Sequence, residues 1–242
     1  MLEKYRSSLV MSKINSKNCK NTVSIKPHHK KLGQLYVSTT CDEDDSKILT
    51  TILKNKCGKE LGKENFLLKK VGFSYGVSIK TASEYRQKGY GIGEMLRLSS
   101  IIMILENKIK EFSIYSLPTA IFFHSKYKFV PAIEKDKERV ASLNDVIKNC
   151  TNNENFKDIE KQAQELLYKI EKNNNPACEK ELYAQTNELI TKYIQRVLKK
   201  RGAYKEHSFK YGMNMKLTTK NILQNKHFFN SLFIKHKINY YI

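Results

Sequence analysis

Between Phe66 and Ile109 the hydrophobic period changes from two to nearly four, and the change falls across three closely spaced glycines. Upstream, "FLLKKVGFSYGVSIKT" (66–81) is rich in aromatic and β-branched residues. It predicts one or two strands, with Phe73, Tyr75, Val77 and Ile79 alternating onto one face. Downstream, Met95, Leu98, Ile102, Leu105 and Ile109 step by three and four, with Ile92, Leu96 and Met103 as a second apolar row. That pattern predicts a long helix buried on more than one side. The joint is "EYRQKGYGIGE" (84–94), so the chain must fold as strand, glycine turn, buried helix.

Such a unit points several unpaired N–H groups and the positive end of the helix dipole at one spot, which suits a phosphate. Glycine permits positive φ and close backbone approach, and Arg86 and Lys88 add charge. Spacing separates the known phosphate loops. A Walker loop needs Gly-Lys-Ser/Thr, but Gly93 is followed by Glu94 and Met95. A G-x-G-x-x-G fingerprint counted from Gly89 or Gly91 ends on Glu94 or Leu96, and a kinase strand of the Val-Ala-Ile-Lys type is missing. Arg86-Gln87-Lys88-Gly89-Tyr90-Gly91 does fit the pattern Q/R-x-x-G-x-G/A.

After "EFSIYS" comes "AIFFHSKYKF" (120–129), in which Ala120, Phe123, Lys126 and Phe129 fall in register with Ala-x-x-Phe-Tyr-x-Lys-x-Gly-Phe. In order and spacing these two motifs resemble the GNAT acetyltransferase superfamily over residues 66–131, and more loosely at the strand pattern of 209–217. The resemblance implies an α/β (α+β) fold with a mixed central β-sheet flanked by helices. It also implies acetyl-CoA as cosubstrate, bound in a V-shaped gap between two neighbouring parallel strands, and no metal. The backbone of Ile79, Lys80 and Thr81 would pair with the pantetheine arm as an added strand. Arg86, with backbone N–H groups of Gln87, Lys88, Gly89, Tyr90, Gly91, Ile92 and Gly93, would hold the pyrophosphate, and Phe123 would lie beside the cosubstrate.

The implied chemistry is direct attack of a primary amine on the thioester. It needs a neutral amine, a donor for the oxyanion and a proton for the departing thiolate. Where the family commonly carries the tyrosine acid, this chain has His124, which can act as acid or base or can merely pack. Tyr115 and Tyr127 are alternative donors. Lys128 stands where the family commonly has glycine, a left-handed position that suits lysine poorly. Glu84 is the carboxylate nearest the loop, either a base or a cap. The acceptor would be a small-molecule or peptide amine; the alternatives are an acetyltransferase of aminoacyl-tRNA and a catalytically inactive GNAT-like binding module.

The tRNA alternative comes from charge. The chain carries a formal net charge of +20, yet only 6 of its 44 basic residues are Arg, the side chain best suited to bidentate readout. Residues 134–206 are nearly neutral, so a polyanion would meet the remainder. Cys19, Cys41, Cys57, Cys150 and Cys178 lack any paired spacing, which points to reduced thiols and a cytoplasmic protein. No zinc spacing, apolar leader or membrane-length run occurs.

The rest of the chain sets the organisation. Residues 1–30 read as a basic, loosely ordered arm and 31–242 as a single GNAT-like domain. "QLYVSTT" (34–40) predicts a strand, and "DDSKILTTILKNKCGKELG" predicts a helix marked by Ile48, Ile52 and Leu53. Pro118 opens a short helix. Within 134–206 a helical hairpin is expected before the last strand. Phe156, Ile159, Ala163, Leu166 and Ile170 mark its first arm, Leu182, Leu189, Tyr193 and Val197 its second, "KNNNPACE" its turn and Gly202 its end. A strand in "HSFKYGMNMKLT" and a terminal helix over 219–233 follow. Homodimer contact through the hairpin and membrane contact through the basic terminal helix are secondary expectations to simple packing.

Overall fold

The structure is a computed structural model that describes residues 10–12, 22–41, 48–68, 73–86, 88–151, 153–200 and 206–242. Gln87 and Gly202 lie outside the described residues. In chain order the first strands are β1 (Val10–Ser12), β2 (Thr22–Ile25), β3 (His28–His29), β4 (Gly33–Cys41), β5 (Ile48–Asn55), β6 (Glu60–Leu68) and β7 (Phe73–Thr81). Helix α1 (Ile92–Glu106), β8 (Glu111–Ser116), α2 (Ile121–Lys126) and β9 (Val130–Pro131) follow. Then come α3 (Asp136–Cys150), α4 (Lys157–Lys172), α5 (Pro176–Lys199), β10 (Met213–Thr218), α6 (Thr219–Gln224) and α7 (Lys226–Lys235). The chain forms two compact units, Met1–Ser113 with Leu217–Ile242, and Ile114–Lys216.

The first unit is mixed α/β: an antiparallel sheet in the order β1-β2-β4-β5-β6-β7, with β3 paired to β4 and α1 packed across it. Period-two burial drives it. Leu35, Val37 and Thr39 of β4 point inward opposite Leu53 and Thr51 of β5, and the Thr39 and Thr51 hydroxyls share a buried 2.9 Å hydrogen bond. The helix expected around Ile48, Ile52 and Leu53 is therefore a correction: this stretch is β5 turning into β6. The run Ile-Leu-Thr-Thr-Ile-Leu is stiff at χ1 and favours a pleated surface, and the turn is closed by Gly58 N–H donating to Asn55 O at 3.0 Å.

Within the stretch read as a loose basic arm, Val10–Ser12 pairs with Thr22–Ile25, and the latter pairs with β4. A second correction concerns β7. Its register with β6 slips where Asn65 faces Ser78 and Phe66 faces Gly76, leaving Val77 as the extra residue of a bulge. Residues directly opposite share a face, so Ile79, opposite Glu64, stands on the buried side, while Phe73 and Tyr75 stand on the other. The alternation of Phe73, Tyr75, Val77 and Ile79 is broken by that one residue.

Helix α1 is buried almost throughout, as its two apolar rows predict. It lies so close to the sheet that a Cβ on Gly62 would come within 2.9 Å of Ile92 Cγ2 and 3.2 Å of Leu96 Cδ1. Beneath it Glu64 is fully buried, with Oε1 at 2.8 Å from an Arg97 guanidinium nitrogen and Oε2 accepting from the Ser100 hydroxyl at 2.5 Å. Burial raises the Glu64 carboxyl above the usual carboxylate range, against the opposing pull of Arg97. The terminal helix is split at Asn225 into α6 and α7, where Thr218 caps α6 by accepting from the Asn221 N–H.

The second unit packs α3, α4 and α5 together, with a short antiparallel pair between β9 and β10. The expected hairpin, α4 and α5, is present, and Asn175 caps α5 ahead of Pro176 as the turn sequence suggests. The extra helix α3 is a correction to a two-helix insertion. Its inward face carries Arg139 and Ser142 beside Leu143, Val146 and Cys150, so no apolar stripe announces it. Arg139 is buried because Asp136 and Glu179 take its guanidinium at 2.8 and 2.9 Å and it stacks 4.3 Å from the centre of the Tyr183 ring.

Candidate functional site

The loop between β7 and α1 is built in three steps. Thr81 ends β7, Ser83–Tyr85 forms a 3-10 turn, and Arg86 leaves it extended, its Nε donating to the Thr81 carbonyl at 2.9 Å. That bond brackets the loop at its base. Gly89 and Gly91 then adopt φ of +68° and +67°, the left-handed region that L side chains seldom enter. Around Gly89 a Cβ would meet nothing within 4 Å, so the backbone there is open to an incoming group.

Gly91 is the N-cap of α1 and contributes no side-chain cap. Met95 N–H returns to the Gly91 carbonyl at 3.0 Å, while the N–H groups of Ile92, Gly93 and Glu94 have no place in the intrahelical ladder. Lys88 is exposed beside them, and Ile92 anchors the first turn in the core. Together these groups make a positively biased end on a fifteen-residue helix.

Residues distant in sequence surround this loop. Tyr90 meets Tyr85 with ring centres 6.1 Å apart and His29 edge-on at 5.6 Å, with Lys31 Nζ 6.0 Å over its ring. The His29 Nδ1 accepts from the N–H groups of Lys31 and Leu32, each at 3.2 Å. Burial, then the neighbouring His236, Lys31, His28 and Lys235, hold the His29 imidazole below its ordinary value. Behind Gly91, the buried Glu94 carboxylate meets Lys235 Nζ at 2.5 Å and His236 Nε2 at 2.6 Å through one oxygen. The His236 carbonyl in turn accepts from the His28 N–H at 2.8 Å. Sequence reasoning found neither His29 nor Glu94, Lys235 and His236, because nothing local links positions 29, 94 and 236.

Of the residues singled out in the sequence, Ile79, Lys80, Thr81, Glu84 and the loop from Arg86 to Gly93 lie in the first unit, with Gln87 undescribed. Glu84 is half-exposed and paired with Lys59 at 2.9 Å, which raises the lysine ammonium above its ordinary value. Phe123 and His124 belong to α2 in the second unit. His124 is buried, 5.2 Å from the Phe123 ring and 5.6 Å from that of Phe129, and its carbonyl accepts from Tyr127 and Phe129 N–H groups. Lys128 does take the left-handed conformation, at φ +68°. Tyr115 is half-exposed, whereas Tyr127 is buried.

Among the described residues no cluster of three His, Cys, Asp or Glu side chains is placed to hold a metal, and no helix is long and apolar enough to cross a membrane. Cys57, Cys150 and Cys178 are free thiols, and burial pushes that of Cys150 up to about 12.

No family model and no curated protein matches the sequence. Solved structures do match. A GNAT family acetyltransferase from Elizabethkingia anophelis with acetyl-CoA bound is 15% identical at a TM-score of 0.33, over 36% of this chain and 57% of that one. Tetrahymena GCN5 is 17% identical at 0.34, over 39% and 58%. An Arabidopsis thaliana protein in complex with the bisubstrate analogue CoA-Ac-MVNAL is 22% identical at 0.31, over 35% and 58%. The matches thus span less than two thirds of these solved chains. The aligned part is about 36% of this chain's length.

Proposed function

We propose that the chain is an acetyl-CoA-dependent N-acetyltransferase acting on a primary amine. The observation that carries the reading is the pair of left-handed glycines, Gly89 and Gly91, opening an uncapped and buried helix between Arg86 and the first turn of α1. A diphosphate fits this loop: the backbone is open at Gly89, N–H groups converge, and Arg86 and Lys88 flank it. Bound there, acetyl-CoA supplies a thioester. Ile79, Lys80 and Thr81 supply backbone groups for its pantetheine arm.

In the transfer, the amine nitrogen forms the new C–N bond, the C–S bond breaks, the amine loses a proton and the thiolate takes one. Positioning the two reactants supplies much of the rate. By its place in the sequence motif His124 is the first candidate for the acid, and Phe123 a candidate contact of the cosubstrate. Tyr115, whose phenol is more exposed, is the competing donor. Glu84 is engaged by Lys59, which suits a loop-stabilising role better than that of the base.

The test is thiol release from acetyl-CoA across polyamines, amino acids, antibiotics, peptides and aminoacyl-tRNA. One acceptor class should turn over, and loss of the acid through His124→Ala or Tyr115→Phe should lower kcat by about 10²- to 10⁴-fold. Turnover at the wild-type rate in both variants would exclude both donors. Absence of turnover with every acceptor, despite acetyl-CoA binding, would leave a binding module. The net charge of +20 earns aminoacyl-tRNA its place in the panel, where binding must weaken steeply with salt.

A further inference from the structure

The first turn of α1 holds a contradiction. An anion site at a helix N-terminus is weakened by any negative charge near it, yet Glu94, the third residue of α1, is a carboxylate only 4% exposed. A glutamate at this position commonly reaches back to the N-cap N–H, closing the helix end. Here it meets the C-terminal segment. One oxygen, Oε1, meets both Lys235 Nζ at 2.5 Å and His236 Nε2 at 2.6 Å.

Those two residues end α7. Lys235 is its last helical residue and His236 its C-cap, and the turn is closed by Lys237 at φ +51° and by Ile238 N–H donating to Phe233 O at 2.8 Å. The His236 ring lies against the loop, with Cε1 3.4 Å from where a Gly91 Cβ would stand. Its carbonyl accepts from His28 N–H, which ties in the strand bearing His29, whose ring meets Tyr90 of the loop. The C-terminal segment is thereby fixed behind the phosphate loop at a side chain, a ring face and a carbonyl.

We propose that Lys235 and His236 are positioning residues that neutralise Glu94 and brace Gly91, keeping the loop at the start of α1 competent for a diphosphate anion. This rests on the acetyl-CoA reading only for the identity of the ligand. Glu94 stabilises the helix by its charge, and its two partners cancel that charge toward the bound anion. With Lys235 charged, its single positive charge balances that of the Glu94 carboxylate, and His236 Nε2 adds a second contact to the same oxygen at 2.6 Å.

The experiment is calorimetric titration of the full chain with CoA and, separately, with inorganic pyrophosphate. Lys235→Met, at a side chain 58% exposed, tests the charge with little risk to folding. It should weaken both ligands about tenfold. Adding Glu94→Gln to Lys235→Met should restore affinity to within threefold of wild type, since the uncompensated charge is then gone; a merely structural contact would be damaged further. His236→Gln, which keeps an N–H toward Glu94, should bind better than His236→Phe, which fills the space without a donor.

Wild-type-like affinity in Lys235→Met, or failure of Glu94→Gln to rescue it, overturns the proposal while leaving the acetyl-CoA reading intact. Wild-type binding of pyrophosphate but not of CoA overturns that reading and leaves the cluster to stand on the pyrophosphate series. Binding of neither overturns both.

Discussion

The carboxylate of Glu94 and the imidazole of His236 meet at 2.6 Å across 142 positions of sequence. Helix α1 brings the first from the middle of the chain and the end of α7 brings the second, so the loop before α1 is backed by the C-terminal segment of the first unit. Gly91, the last residue of the loop before α1, lies against this pair, with His236 Cε1 3.4 Å from where its Cβ would stand.

Gly89→Ala and Gly91→Ala should each cost about 1–2 kcal/mol, because an L side chain is strained at φ +68° and +67°. Neither adds a clash: a Cβ at 91 would stand at ordinary contact distance, 3.4 Å from His236 Cε1, and one at 89 would meet nothing within 4 Å. Thermal melts should place both variants below wild type by similar amounts. A markedly lower melting temperature for Gly91→Ala would mean that the His236 ring leaves no room for a methyl group.

Gly62 sits under α1 and beside β7, and its replacement tests how tightly both are seated. A Cβ would come within 2.9 Å of Ile92 Cγ2 on the helix and 2.7 Å of the Lys80 carbonyl oxygen on β7, which is backbone and cannot rotate away. Gly62→Ala should destabilise by about 1–3 kcal/mol in urea titrations. A loss below the error of the titration would show that helix and strand both give way freely around the added methyl.

Lys128 is held at φ +68° at the end of α2. Lys128→Gly should relieve that strain and stabilise the protein by about 1 kcal/mol, less the entropy that glycine adds to the unfolded chain. Equilibrium unfolding reads the sign directly. Destabilisation would mean that the lysine side chain contributes more than its backbone costs.

Arg196 of α5 pairs with Asp158 of α4, its second guanidinium nitrogen at 2.9 Å from Oδ2, and holds that carboxyl at about 2 against an ordinary 3.8. A depressed carboxylate contributes stability above its unfolded value and loses it as pH falls through the folded one, so this contribution should fade between pH 3.8 and about 2. Both side chains are partly exposed, so the effect is under about 1 kcal/mol. Urea midpoints at pH 5 and pH 2.5 should fall less in Arg196→Gln than in wild type; parallel falls would contradict the coupling.

Strand, glycine turn and buried helix were legible because each is written in local periodicity and in glycines that permit positive φ. Pro118 marked the start of the short aromatic helix, while the left-handed position of Lys128 came only from the resemblance, which has glycine there. β5 was misread because Ile48, Ile52 and Leu53 satisfy helical spacing by chance, while the inward set is Leu49, Thr51 and Leu53, whose central member is polar and pairs with Thr39. α3 was missed because a paired Arg139 occupies an inward position. The bulge at Val77 follows from register with β6, which no window on β7 contains. Glu94 with His236 is the same case at longer range, a contact made by topology.

The central claim is that the loop from Arg86 to Gly93 binds the diphosphate of acetyl-CoA. Calorimetry of the wild-type chain with acetyl-CoA, beside Gly89→Glu, tests it most directly. The account predicts saturable heat and a raised melting temperature for wild type, both absent in the variant, which carries a charged side chain into the open space at φ +68°. Neither heat nor a thermal shift from wild type at saturating acetyl-CoA would contradict it.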